Sequence, residues 1–402
     1  MLRNEAVRIL PIVFLWRPIL PLIAFDARNV RAEPSGIGRV AQNIVRRIAN
    51  IDKENEYLLI QRSDLPTPIV SDPQFKIVHY PFPIASLRNY LSFGRCLQRL
   101  RPTVYHSLHS FLPFGLPKRL KTVVTVHDFN WLQRPSMAGA SPWRGWVSGL
   151  HGRPMHAHTA RVADHLVCGS QQTKNDLLDL FPNTTQPTSV IYHGADHMES
   201  TTSKISKKIR RFKNTRFVLS VGSGRPTKNP EATLGAFARI KRDGHHRDVR
   251  LLMAGRIDRP SRLQRLAQKN GIGDQVDFIG VVSDAELTFL MRWAQLLSFP
   301  SLWEGFGLPV IEAFAAGCPV IAANIASLKE IATGAAWMIQ DPRADEEIAQ
   351  AMTAIIGDEA IRKKMRRDSL QKAEDFTWDK AAQSYISIYR QLLQETPQKT
   401  GD

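Results

Sequence analysis

Cysteine is scarce: Cys96, Cys168 and Cys318 are the only three in 402 residues, and they lie far apart. An odd, scattered set excludes a disulfide framework and a Cys-x-x-Cys zinc pattern. A reducing cytoplasm suits such a chain. Internal repeats and low-complexity tracts are absent. So are the signatures of zinc fingers, RNA-recognition motifs and basic zippers, which weighs against nucleic acid as a partner. A long unbroken apolar run is lacking too. Ile9–Phe25 is strongly apolar and follows Arg3 and Arg8, but Arg17 sits in its middle and Pro11, Pro18 and Pro21 interrupt it. A membrane span needs about 20 apolar residues with few charges, and no small-residue cleavage site marks a signal peptide. Two readings stand. Residues 1–20 are an extension before a first core strand at Pro21–Ala27, or they touch a membrane.

What is present is ordinary globular composition, 43% hydrophobic and 23% charged, with a net charge of +17. Residues 1–200 hold 23 Lys and Arg against 14 Asp and Glu, so the excess is spread over both halves and is no basic tail. With nucleic acid set aside, an anionic membrane surface and phosphorylated substrates are the partners that fit. The length exceeds one core and suggests two domains of about 200 residues each.

A strand–helix rhythm supports this. Strands are expected at Leu22–Phe25, Tyr57–Ile60, Thr122–Val126, His165–Cys168 and Ser189–Tyr192. A second set follows at Phe217–Val221, Val249–Met253, Val276–Ile279, Leu296–Phe299 and Pro319–Ala322. Their apolar runs are those of strands buried on both faces, hence parallel sheets. Helices are expected at Val40–Ala49, Pro230–Arg242, Ala285–Ala294, Pro309–Ala316 and Trp378–Leu393. The expected architecture is two doubly wound α/β domains, 1–200 and 201–376, with a C-terminal helix and tail over 377–402. The polar, Lys- and Arg-rich stretch 197–214 marks the boundary, as a linker or a solvated helix face.

Ligands bind beyond the carboxyl ends of strands in such sheets. Asp26 and Arg28, His127 and Asp128, His193 and Gly194, Gly222–Lys228, and Glu304 all fall there, which suits a cleft between the domains. Gly305–Leu308 is a glycine-containing loop leading into a helix with Pro309 in its first turn. Its amides and the helix N-terminus can face phosphate oxygens. Two carboxylates eight residues apart, Glu304 and Glu312, flank it and suit sugar or ribose hydroxyls; an acidic first-turn residue can also simply stabilise a helix dipole.

The segment EGFGLPVIEAFAAGCPVI, starting at Glu304, resembles the Glu-x7-Glu signature of the retaining glycosyltransferase family 4, whose fold is GT-B. VGSGRPTKN resembles the family's phosphate loop and VVTVHD its His-Asp site. VCGSQQTKNDLL and VIYHGAD resemble its connecting motifs, and SGIGRV the N-terminal glycine loop of mannosyl- and rhamnosyltransferase-like members. The likeness covers about residues 22–355, with its motifs in order.

The resemblance implies transfer of a hexose from a nucleotide-sugar, GDP-mannose or a related donor, to a saccharide or lipid-linked acceptor with retention of configuration. Lys228 would neutralise the donor diphosphate with Arg225 as helper, although Thr227 stands where an Arg commonly precedes the Lys. Glu312 would bind the ribose. Glu304 would face the donor sugar, with Gly305, Phe306, Gly307 and Leu308 near sugar and phosphate. His127 would contact a sugar hydroxyl and Asp128 would lie at the acceptor side. Gly36 and Gly38 would form a loop touching phosphate or acceptor at a helix start. The chain has no Asp-x-Asp pair for a divalent ion, so metal independence is expected. The implied location is the cytoplasm, with peripheral contact to the anionic inner leaflet.

Alternatives remain. Gly36-x-Gly38-x-x-Ala41, with Asp52 or Glu54 downstream, fits a loose dinucleotide fingerprint, but the largely polar insertion 28–35 separates Gly36 from the strand that should adjoin it. A sugar-nucleotide epimerase or phosphorylase on a similar fold, or a non-catalytic binder, are the other readings. Of the remaining histidines, His106, His109 and His193 read more readily as core or surface residues than as catalysts.

Overall fold

A computed structural model describes residues 21–31, 35–65, 68–84, 86–134, 137, 142–198, 204–256 and 260–395. The expectation for residues 1–20 lies outside them. Two parallel sheets organise the chain. The first has seven strands: β1 (Leu22–Asp26), β2 (Glu56–Gln61), β3 (Phe75–His79), β4 (Val104–Ser107), β5 (Lys121–Val126), β6 (His165–Cys168) and β7 (Thr188–Val190), in the order β3-β2-β1-β4-β5-β6-β7. The second has six: β8 (Phe217–Val221), β9 (Arg250–Ala254), β10 (Val276–Gly280), β11 (Leu296–Phe299), β12 (Val320–Ala323) and β13 (Trp337–Ile339), in the order β10-β9-β8-β11-β12-β13. Every pairing in both sheets is parallel, as β1 is to both β2 and β4. All five residues of β1 are buried, as a strand covered on both faces requires.

Three strands were not visible as apolar runs. β3 reads FKIVH with most of its residues turned outward, β4 carries His106 and Ser107, and β13 has only three residues. A polar edge and very short strands blunt the composition signal. The stretch after residue 203 resolves into a short helix (Lys207–Arg210) and a 3-10 turn (Arg211–Asn214). Its cations face out while Ile209 and Phe212 enter the second core, the amphipathic alternative.

The last helix (Trp378–Gln394) crosses back to the first sheet. Trp378, Tyr385 and Tyr389 join the core around Ile23 and Phe25. Tyr389 Oη lies 2.6 Å from His106 Nδ1, whose Nε2 is 2.8 Å from Thr125 Oγ1. His106 is thus a satisfied core residue. The helix capping by Thr377, whose side chain accepts from Lys380 N, sets its start.

Burial pushes His106 and His193 down to about 3 and His156 to about 4. An unfolded chain protonates such rings near pH 6.5 while the folded protein does not. Their stability contribution is therefore complete above that pH and is lost as pH falls below it, by about 1.4 kcal/mol per pH unit for each ring. Thermal unfolding followed from about pH 7 to about pH 5 should show a steep fall in Tm; a flat profile would mean these rings are hydrated.

Candidate functional site

The carboxyl ends of the two sheets face each other across a cleft. On the second-sheet side, β11 ends at Phe299 and Asn229 fixes the loops beyond it: its side chain donates to Pro300 O at 3.1 Å and Pro342 O at 2.5 Å. Leu302 N donates to Thr227 O at 2.8 Å, which ties the β8 loop to the β11 loop. This brings Lys228 to Glu304. The Lys228 ammonium donates to both carboxylate oxygens, at 2.6 and 2.7 Å. Arg225 caps the 3-10 turn Pro226–Lys228 and is exposed on the same loop. Lys228, Ser223, Gly224 and Phe299 line a small pocket between the ends of β8 and β11.

Glu304 is 9% exposed and its carbonyl accepts from Ser327 Oγ at 2.8 Å. Gly307, at φ +115°, starts the helix Leu308–Ala315, and its α-carbon faces Leu328 and Ile331 so closely that a Cβ would overlap them. Phe306 packs on His193, ring centres 4.8 Å apart. Leu308 extends toward Gly36 of the first-sheet side, where its Cδ1 lies 4.0 Å from the place a Cβ would take.

Glu312 is fully buried. Arg39, from the helix Gly36–Ile51 across the cleft, donates through Nη1 to Glu312 Oε1 at 2.7 Å and through Nη2 to Asp284 Oδ1 at 2.8 Å. His197 Nε2 lies 3.5 Å from the same Oε1, and Trp378 Nε1 donates to His197 Nδ1 at 3.0 Å. Burial alone would raise the Glu312 carboxyl; Arg39 and His197 outweigh it and hold it at about 2. Glu312 is thus an anion at any working pH. Oε2 of Glu312, Nε of Arg39 and Nε2 of His197 have no hydrogen-bond partner. Each of these atoms keeps the capacity for one further hydrogen bond, to water or to a ligand.

On the first-sheet side, His127 follows β5. Its Nε2 is 3.0 Å from Leu108 O and its backbone N donates to Ser110 Oγ at 3.1 Å. Only a protonated Nε2 can bond a carbonyl, so the neutral ring presents Nδ1 as an acceptor. Burial lowers its pKa, more than Leu108 O and Asp128 raise it, and so favours that neutral form. Asp128 Oδ1 accepts from Asn130 N at 3.0 Å, which orients the carboxylate.

Gly305 closes the cleft. Its carbonyl accepts from Ser170 Oγ at 2.7 Å and Thr173 Oγ1 at 3.0 Å, and a Cβ on it would lie 2.2 Å from His127 O and 2.9 Å from Asp128 Cβ. Only glycine fits there. Glu330 completes the seam, accepting from Gln171 N at 2.8 Å and Tyr192 Oη at 2.7 Å.

Gly36 and Gly38 are not loop residues. Ser35 accepts from Gly38 N at 3.1 Å and starts the helix at Gly36, four residues before the apolar periodicity begins. Capping, not hydrophobicity, sets that start. Asp26 and Arg28 serve the fold: Arg28 Nε and Nη2 donate to Asp26 at 2.8 and 2.5 Å, Tyr105 Oη donates to it at 2.9 Å, and His109 Nε2 lies 2.9 Å away. The Asp52 carboxylate of the dinucleotide alternative accepts from Tyr57 Oη at 2.6 Å and Asn55 Nδ2 at 2.7 Å, so it is already engaged.

Arg39 and His197 carry no role in the sequence reading. Arg39 lies within the segment SGIGRV, but nothing in a sequence pairs residue 39 with residue 312. Among the described residues no group of three or more His, Cys, Asp or Glu is placed to hold a metal ion.

Comparison with known proteins identifies the family. Residues 34–199 match the model described as Glycosyltransferase Family 4, and residues 201–372 match Glycosyl transferases group 1. The chain is 22% identical to the O-antigen chain mannosyltransferase B of Escherichia coli over 92% of its own length and 100% of that protein. It is 25% identical to the MMP alpha-(1->4)-mannosyltransferase of Mycolicibacterium hassiacum, over 67% of this chain and 62% of the other. Among solved structures it resembles sucrose-phosphate synthase from Thermosynechococcus elongatus, with a TM-score of 0.73 at 19% identity, covering 93% and 100% of the two chains. WaaG, a glycosyltransferase involved in lipopolysaccharide biosynthesis, gives 0.71 at 16% identity, covering 91% and 99%. With two facing Rossmann-like sheets and both family models matched in sequence along the chain, this protein belongs to glycosyltransferase family 4 and is a glycosyltransferase of the GT-B fold.

Proposed function

We propose that the protein transfers mannose or a related hexose from a nucleotide-sugar, GDP-mannose first among candidates, to a lipid-linked saccharide in surface polysaccharide assembly, with retention of configuration. The observation that carries this is the pair of charged groups at the cleft, Lys228 on Glu304 and Glu312 on Arg39. One cation able to meet a diphosphate and one buried carboxylate able to accept from ribose hydroxyls support the reading. The match to an O-antigen mannosyltransferase along its full length supports the choice of sugar and acceptor.

In this reading the diphosphate takes Lys228 from Glu304, with Arg225 adding charge. The ribose displaces Arg39 from Glu312. His127 Nδ1 accepts from a donor-sugar hydroxyl, and Gly305–Leu308 amides face sugar and phosphate. The acceptor oxygen, held near Asp128, attacks the anomeric carbon from the face the phosphate leaves. The C–O bond to phosphate breaks, and a phosphate oxygen takes the acceptor proton. Charge on the leaving group is met by cations of the chain and not by a metal ion. No helix among the described residues is long and apolar enough to cross a membrane, and contact with the anionic cytoplasmic leaflet is proposed to be peripheral, driven by the charge of +17.

Incubation with GDP-, UDP- and ADP-sugars and lipid-linked acceptors should give transfer and release of one nucleoside diphosphate, at a rate unchanged by EDTA. Absence of release with every donor overturns the reading; inhibition by EDTA overturns its metal-free part.

A further inference from the structure

Acidic residues vanish from one long stretch of the first half. Residues 73–127 contain eight Lys and Arg and no Asp or Glu. The helix Leu87–Leu100 lies within it. Its inner face, Phe93, Gly94, Leu97 and Leu100, is buried in the core. Its outer face carries Leu87 at 72% and Leu91 at 62% exposure, more open than any other large apolar side chain described. Beside these leucines run Arg88, Arg95 and Arg99, all exposed.

Helical geometry places 87 and 91 on one line and 88, 95 and 99 on the next. Phe114, 41% exposed, borders the leucines: its backbone N donates to Tyr90 O at 3.0 Å, and the two rings are 6.4 Å apart. A Cβ on Gly94 would lie 2.4 Å from Gly115 O, so the helix and this turn form one rigid surface.

We propose that this face, Leu87, Leu91 and Phe114 flanked by Arg88, Arg95 and Arg99, docks the protein on an anionic lipid bilayer. It rests on the membrane contact proposed above and names the surface that makes it. Apolar side chains standing clear of the fold beside a row of arginines, with no nearby acid along the chain to neutralise them, fit the boundary between acyl chains and anionic headgroups. The helix is also tied to the cleft end of the first sheet. Asn89 Oδ1 accepts from Arg28 Nη1 at 2.8 Å, and Arg28 grips Asp26 at the end of β1. A lipid-linked acceptor would thus meet the cleft from the surface that holds its lipid.

The test is cosedimentation of the full chain with phosphatidylcholine vesicles, with and without about 30% phosphatidylglycerol. The wild type should partition onto the anionic vesicles and come off in high salt. Leu87→Ser/Leu91→Ser and Arg88→Gln/Arg95→Gln should each lower partitioning at least about tenfold, from lost apolar burial and lost surface attraction respectively. Calorimetric binding of nucleoside diphosphate should stay unchanged and report that the variants are folded. Either variant partitioning like the wild type overturns this surface alone. A wild type that ignores anionic vesicles overturns the membrane contact as well, and leaves the transferase reading untouched.

Discussion

Lys228→Ala should lower turnover by about a hundred- to a thousandfold while leaving the protein folded, because in the proposed mechanism it removes the cation that meets charge on the departing diphosphate. The loss goes beyond one missing charge. Lys228 donates to both oxygens of Glu304. Without it, Glu304 is a largely buried carboxylate without its ion pair, beside an incoming anion. Lys228→Ala therefore weakens nucleoside diphosphate binding as well, and Glu304→Gln in the same chain recovers part of that binding without recovering turnover. Calorimetry and a release assay separate the two quantities. Near-normal turnover in Lys228→Ala would remove Lys228 from the site.

Gly305→Ala tests the closure of the cleft. Its new Cβ would stand 2.2 Å from the His127 carbonyl oxygen, so the two halves must move apart by about 1 Å, and a misplacement of that size costs on the order of a hundredfold in rate. The overlap lies across the cleft and not inside either core, so Tm should change little. Nucleoside diphosphate binding, proposed to run through Lys228 and Glu312, should also hold. A kcat within a few fold of wild type would show that catalysis does not need this closed seam.

Much of the fold was legible because buried parallel strands must be apolar on both faces. β6, β8 and β11 match the expected bounds residue for residue, and Pro230–Arg242 does too. β3 escaped because an edge strand turns Lys76 to solvent, and β13 because three residues make no run. The first helix began early because Ser35 caps it. Of the candidate site, strand ends pointed to Lys228, Glu304 and His127, since loops after parallel strands are where side chains can converge.

Local periodicity and capping are enough to read out the two sheets, their strand-end loops and the charges those loops carry. The pairing of those charges arises from long-range packing. Arg39 reaches Glu312 from 273 positions away, Ser170 holds the Gly305 carbonyl, and Trp378 bonds His197 from the last helix. Such contacts depend on two sheets facing each other and on a chain that crosses back, and no local pattern encodes either. The Leu87–Leu91 face shows the same division: the residues are plain in the chain, but burial of the opposite face is what leaves them standing in solvent.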